Sequence, residues 1–150
     1  MNAPLYTTEI LRLAASLTEP RTLEREDGAV ELRSPTCGSR VRTAVTVNAD
    51  GRVVALSQQV HACAFGQASA TIVERSAAGV TAQEIERAVD ETAAWLAGSG
   101  EQPQWPGITA LAPARSRTGR HAAILLPFRT LAAALAEAAV RRAGGNPPAP

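Results

Sequence analysis

The hydrophobic period of this chain changes near residue 63, and that change limits what the chain can fold into. Upstream, Val30 and Leu32 alternate with Glu31 and Arg33. Val41, Thr43, Val45 and Val47 then alternate with Arg42, Ala44 and Thr46. A period of two is that of half-buried strands. Asn48-Ala49-Asp50-Gly51 reads as a hairpin turn, and a third run from about Arg52 to Val60 completes a three-stranded antiparallel meander over 28–62. Downstream the apolar residues recur at three and four. Ala68, Ile72 and Val73 place a helix over Ala64 to Ala77, stopped by Gly79, and Thr81 with Glu84 makes a capping box for a second helix to Ala97. Glycines and prolines across 98–116 predict an ordered loop, and a long helix follows to about Arg142. Pro127 predicts either a kink in that helix or a start close to the proline itself. Ahead of the strands, Leu5, Ile10, Leu13, Ala14 and Leu17 predict an amphipathic helix over about residues 5 to 18, closed by Pro20. The fold class is α+β: an N-terminal helix, the meander, then three helices packed on the sheet.

A length of 150 residues suits one domain, read as 1–143 with a disordered tail at 144–150. The net charge of +1, with the two signs interleaved, gives no bulk attraction to nucleic acid or to a membrane surface. All fifteen basic residues are arginine, a bias carrying no functional weight. No basic start with an apolar run marks an export signal. The apolar stretches around Ala122–Leu126 and Leu131–Ala139 are broken by Pro127, Arg129 and Glu137, short of the roughly 20 residues that a span needs. The expectation is a soluble, cytoplasmic protein. Two cysteines in such a chain argue against a disulfide framework and leave metal binding, redox chemistry or inert burial.

Cys37, Cys63, His61 and His121 are all the cysteines and histidines of the chain. Cys37 lies in Ser34-Pro35-Thr36-Cys37-Gly38-Ser39, the loop between the first two strands. Cys63 lies where the third strand passes into a helix, and a helix N-terminus favours the thiolate, the form that binds metal or attacks sulfur. His61 precedes it by two residues, so the two share a face if the strand persists. In a meander the first loop and the far end of the third strand meet at one edge of the sheet, which makes Cys37 and Cys63 neighbours. Either cysteine alone reads first as a small buried hydrophobe, and it is their joint position at one sheet edge that points to a site. His61 reads as a half-exposed strand residue or a ligand, and His121 stands near the start of the last helix. Arg115, Arg117 and Arg120 before that helix form either a solvated basic face or a docking patch for an acidic partner.

Pro35-Thr36-Cys37-Gly38 resembles the proline-x-cysteine-glycine loop of the U-type iron–sulfur cluster assembly scaffolds, the IscU, SufU and NifU N-terminal family. Cys63-Ala64-Phe65-Gly66-Gln67-Ala68-Ser69-Ala70 resembles their second cysteine and the alanine-serine-rich helix after it. The resemblance runs from the first helix to about Ala139, and Gly107 to Leu131 is most similar to the SufU branch. It implies a scaffold or sulfur acceptor, not an enzyme. Its cofactor would be an iron–sulfur cluster or iron, with zinc as the alternative, and its partners a cysteine desulfurase and apo-protein acceptors. It makes Cys37 and Cys63 the cluster-binding residues, with His121 and His61 as further candidate metal ligands and Cys37 as a candidate sulfur acceptor.

The family's full site has three cysteines and an aspartate two residues after the first, where this chain has Ser39. Two alignments of the third cysteine remain open. One keeps His121 as the family's histidine and puts Ala122 at the cysteine; the other keeps Arg120 as an arginine and puts Ala123 there. Two cysteines with two histidines would give zinc its four donors, or hold a [2Fe–2S] cluster labilely. A fold that keeps its partner surface without binding metal, or a thiol sensor forming a reversible Cys37–Cys63 disulfide, are the other readings.

Overall fold

The computed structural model describes residues 6–35 and 38–144. The chain runs α1 (Thr8–Ala15), β1 (Gly28–Arg33), β2 (Arg40–Val47), β3 (Val53–His61), α2 (Ala64–Ser76), α3 (Ala82–Leu96), two 3-10 segments (Ile108–Ser116 and Thr118–Arg120) and α4 (His121–Ala143). The sheet has the order β1-β2-β3 with both pairs antiparallel, as the alternating pattern requires. A register shift falls between Thr46 and Val47, just before the turn. There the Asn48 side-chain oxygen accepts from the N–H groups of Asp50 and Arg52, and Gly51 takes φ 78°.

The fold class stands as the alternation indicated, α+β with the helices following the sheet. α4 lies across β1 and β2 and also packs on α2 and α3, while α1 packs on α2. The core between them holds Ile10, Phe65, Ile72, Ile85, Phe128 and Leu131, all essentially sealed from solvent. α4 is apolar on nearly every side because it is the central helix. Gly28 is required where β1 meets it, since a Cβ there would collide with the carbonyl oxygen of Ala134.

Local chemistry accounts for the helix ends. Thr81 and Glu84 form the reciprocal capping box over α3. α1 is shorter than its pattern suggests, because Ser16 caps it and Thr18 leaves the helix to bond Glu74 through its N–H and its hydroxyl. Residues 108–116 are a 3-10 helix rather than a plain loop, burying Ile108, Ala110, Leu111 and Ala114. α4 begins six residues before Pro127, not at it. The proline has no N–H, so the Ala123 carbonyl loses its helical partner. Of the tail expected at 144–150, residues 145–150 lie outside the described residues.

Candidate functional site

The third strand delivers His61 to the end of the sheet, and the chain turns through Ala62 and Cys63 into α2. Cys63 is the N-cap of that helix, with extended backbone (φ −68°, ψ 174°) and no side-chain capping bond. Its carbonyl accepts from the Gln67 N–H at 2.9 Å, and the Gln67 side-chain amide donates to the Ala62 carbonyl at 3.1 Å, so Gln67 fixes the turn twice. Gly66 permits the tight approach of this turn to α4. A Cβ there would lie 2.6 Å from the Ala62 Cβ and 3.3 Å from the Ala123 oxygen. Cys63 is half-buried, with no acidic residue in the first turn of its helix. The free N–H groups of that turn therefore present their partial positive charge to the thiol unopposed.

Cys63 opens onto a cavity of about 310 Å³ lined by Gly38, Ser39, His61, Ala62, Cys63, Gly119, Arg120 and Ala123. None of these is acidic. Ser39 is buried at 4% exposure, and its loop is closed by bonds from the Ser34 N–H to the Ser39 carbonyl and from the Gly38 N–H to the Ser34 carbonyl. Gly38 sits at φ 72°, a conformation that favours glycine. Cys37 lies outside the described residues, so its distance from Cys63 is not among the structural findings.

The helix-borne residues separate cleanly. Arg120 and Ala123 line the cavity, and Ala123 is sealed into its wall at 1% exposure. His121 is not among the lining residues. Its Nε2 faces the carbonyls of Ala114 and Arg115 at 3.1 and 3.0 Å, so that nitrogen carries hydrogen and donates to the 3-10 segment. Of the two alignments left open above, the one with Arg120 and Ala123 describes the residues at the cavity. Arg115 is not part of a free basic patch, since its Nε donates to the Trp95 carbonyl and its guanidinium lies 5.3 Å from the centre of the Trp95 ring. Among the described residues, no three of His, Cys, Asp and Glu gather where they could hold a metal ion.

Sequence reasoning missed the row across the sheet end, where Arg33 stands opposite Arg40 and Arg40 opposite His61. The signal was an arginine closing β1 and another opening β2, which a meander must pair. It also missed the role of Gln67, whose spacing of four from Cys63 is the visible trace.

The model of the NifU-like N terminal domain matches residues 5–107. The chain belongs to that family. The match stops before Arg120 and Ala123, so their place at the site rests on the structure. Among solved structures, the N-terminal part of a nitrogen-fixing NifU-like protein from Brucella abortus is 30% identical, with a TM-score of 0.83 over 90% of this chain and 94% of that one. A protein put forward as the iron–sulfur cluster assembly scaffold of the SUF system in Fervidobacterium islandicum shares the fold at 21% identity, with a TM-score of 0.75 over 87% of this chain and 96% of that one. A hypothetical protein shares it at 18% identity, with a TM-score of 0.68 over 85% of this chain and 94% of that one. No curated protein sequence matches.

Proposed function

We propose that this chain acts in iron–sulfur cluster assembly as a U-type scaffold or sulfur acceptor, handling sulfur, iron or a nascent cluster as passing cargo at Cys63 and Cys37. The observation that carries this reading is the placement of Cys63 at an uncapped helix N-terminus, facing a cavity walled by Arg120, Ser39 and Ala123. Those are the elements on which the family resemblance locates its ligands. The partners on this reading are a cysteine desulfurase that delivers sulfur and apo-proteins that take the product, and the setting is the cytoplasm.

The donor set limits what can be held. A [2Fe–2S] cluster usually takes four thiolates, and zinc takes four nitrogen, sulfur or oxygen donors. The lining offers one thiol and one imidazole, and the Pro35–Gly38 loop adds Cys37. Ala123 offers a methyl group and Ser39 a hydroxyl, so the protein's own donors do not complete a cluster site and would hold iron or zinc loosely. His61 is the histidine available to the cavity, His121 being engaged with carbonyls. Within this reading Cys37 remains the proposed acceptor of sulfur from the desulfurase, since its loop is bordered by glycine and it matches the family's first cysteine, and Cys63 is a second thiol able to take sulfur at the cavity.

A second reading, a metal-free adaptor that binds the desulfurase or another assembly factor, is favoured by one observation: the wall position of Ala123 is filled by a side chain with no donor atom. Anaerobic reconstitution with ferrous iron, sulfide and thiol separates the two, followed by elemental analysis and a visible spectrum. Iron and sulfide that appear with the protein and vanish in Cys63→Ser support the scaffold. Protein that takes up neither iron nor zinc leaves the adaptor.

A further inference from the structure

The end of the sheet beside Cys63 carries its charges in an order that costs stability. Arg33 and Arg40 are directly opposite each other on β1 and β2, and Arg40 is directly opposite His61 on β3, so the three share one face in a single row. Like charges directly opposite in an antiparallel pair are destabilising. Arg33 has Glu31 at 3.4 Å with both side chains well exposed, a weak pairing, and one row further in Arg42 has Glu26 at 3.4 Å. Arg40 is exposed and forms no ion pair among the described residues, and neither does Arg120 on the other side of the cavity. His61 and Arg120 both line that cavity, which has no acidic residue in its wall.

We propose that Arg40 and Arg120, with the Arg33–Arg40–His61 row, make the Cys63 site selective for anionic sulfur carriers, meaning persulfides whose carrier bears a carboxylate near the sulfur. This rests on the reading of Cys63 as a sulfur-handling residue and names its substrate class. The step served is transfer of the outer sulfur. The Cys63 thiolate attacks the terminal sulfur of the donor persulfide, a new S–S bond forms to Cys63 and the donor S–S bond breaks. The donor leaves as a thiolate that carries the negative charge, and the transferred sulfur keeps its proton on the Cys63 persulfide, with no net oxidation and no added reactant. The donor persulfide reacts in its protonated form, so the charges that meet are the attacking thiolate and the thiolate that grows on the leaving donor, and a carboxylate on the carrier adds a further negative charge beside them. For a small thiolate in water the carboxylated donor is therefore the slower one. Arg120 in the cavity wall, with Arg40 exposed beside His61 at the sheet end, reverses that order, because a charge at a partly buried cavity is screened less than in bulk water. Selectivity accounts for Arg40 and Arg120 standing without an ion pair among the described residues.

The test uses the full chain with Cys37→Ser, so that Cys63 is the only thiol. N-acetylcysteine persulfide is compared with the persulfide of its methyl ester, which differs by one carboxylate, and the added sulfur on Cys63 is followed by mass spectrometry. Mercaptoethanol thiolate is the reference. Expected at low ionic strength is a preference of about threefold for the carboxylate form, against a preference for the ester with mercaptoethanol. The protein's preference should fade at about 0.5 M salt, where the screening length is about 4 Å. Arg40→Gln and Arg120→Gln should each cut it by about twofold, slowing the carboxylate form more than the ester, with the melting temperature no lower. An ester preference matching mercaptoethanol, or a carboxylate preference indifferent to salt and to both substitutions, overturns the proposal. The outcome is independent of cluster reconstitution, which requires neither carrier, so failure of the rim and failure of the scaffold reading are distinguishable.

Discussion

The two ends of the sheet are built on opposite rules. At the end holding Asp27 and Gly28, charge meets countercharge and polar atoms are paired. Asp27 accepts from the Arg25 Nε and from the Val47 N–H, both at 2.8 Å, and its own N–H donates to the Val45 carbonyl. Glu137 accepts from the Ala29 N–H and pairs with Arg141 at 2.7 Å, while Arg142 donates to the Ala49 carbonyl. At the end holding Cys63, the N-cap makes no side-chain bond, Arg33 faces Arg40, and the cavity has no acidic residue in its wall, whereas the cavity of about 260 Å³ at the other end has Asp50 and Arg142 together in its lining. The difference teaches where paired groups stabilise the sheet and where like charges are left opposed. The first end anchors the sheet to α4, and the second keeps a thiol, an imidazole and two arginines accessible.

The comparison is sharpened most by Gly28→Ala. The added methyl meets the Ala134 carbonyl, and either β1 or α4 must shift. Overpacking of this kind costs about 1–3 kcal/mol, and we expect the upper part of that range because backbone rather than side chain must move. Urea unfolding measures it, and Cys63 reactivity toward a neutral disulfide reagent should be unchanged under native conditions. A Gly28→Ala protein as stable as the parent breaks the claim that this end anchors the fold.

Next in size is Asp27→Asn. Burial works to raise the Asp27 pKa, but the bonds from Arg25 and Val47 and the charges of Arg25 and Arg141 outweigh it, and the carboxyl titrates below its ordinary value. A folded-state pKa below the unfolded one gives stability that is fully present above the unfolded value of about 3.9 and is lost as pH falls through the folded one. The parent should therefore lose stability on acidification across that window. Asp27→Asn should be weaker by about 1 kcal/mol near neutrality and lose less on acidification. Parallel pH profiles for the two proteins would contradict the assignment.

The smallest effect belongs to the other end. Arg33→Gln removes one side of a like-charge pair and should leave stability unchanged or raise it by a few tenths of a kcal/mol. A marked loss would show that the row is structural, and the contrast between the ends would fail.

Much of this architecture was legible from residue spacing alone. The alternation at 41–47, the turn at Asn48–Gly51 and the Thr81–Glu84 box are local patterns, and the structure carries each of them. The position of Cys63 at a strand-to-helix junction followed from the change of period. What stayed hidden depends on contacts distant in sequence. Residues 108–116 read as loop because Gly107 and Pro113 masked a 3-10 helix that is stabilised by burying Ile108 and Leu111. His121 looked like a ligand candidate because nothing local announces the Ala114 and Arg115 carbonyls that engage its ring. Which of Ala122 and Ala123 lines the cavity depends on α4's rotation about its axis, which packing against α2 and the sheet decides. The Arg33–Arg40 pairing needed the register.

The central proposal is that Cys63 faces the scaffold's ligand site, with Ala123 and Ser39 at the positions where the family resemblance puts a thiolate and a carboxylate. Iron or zinc retained per chain after anaerobic loading and desalting, in the parent and in Ser39→Asp/Ala123→Cys, tests it most directly. The account predicts little metal retained by the parent and close to one equivalent by the double variant, with retention abolished by Cys63→Ser in that background. Equal retention in parent and double variant, or no gain from the two new donors, would contradict it.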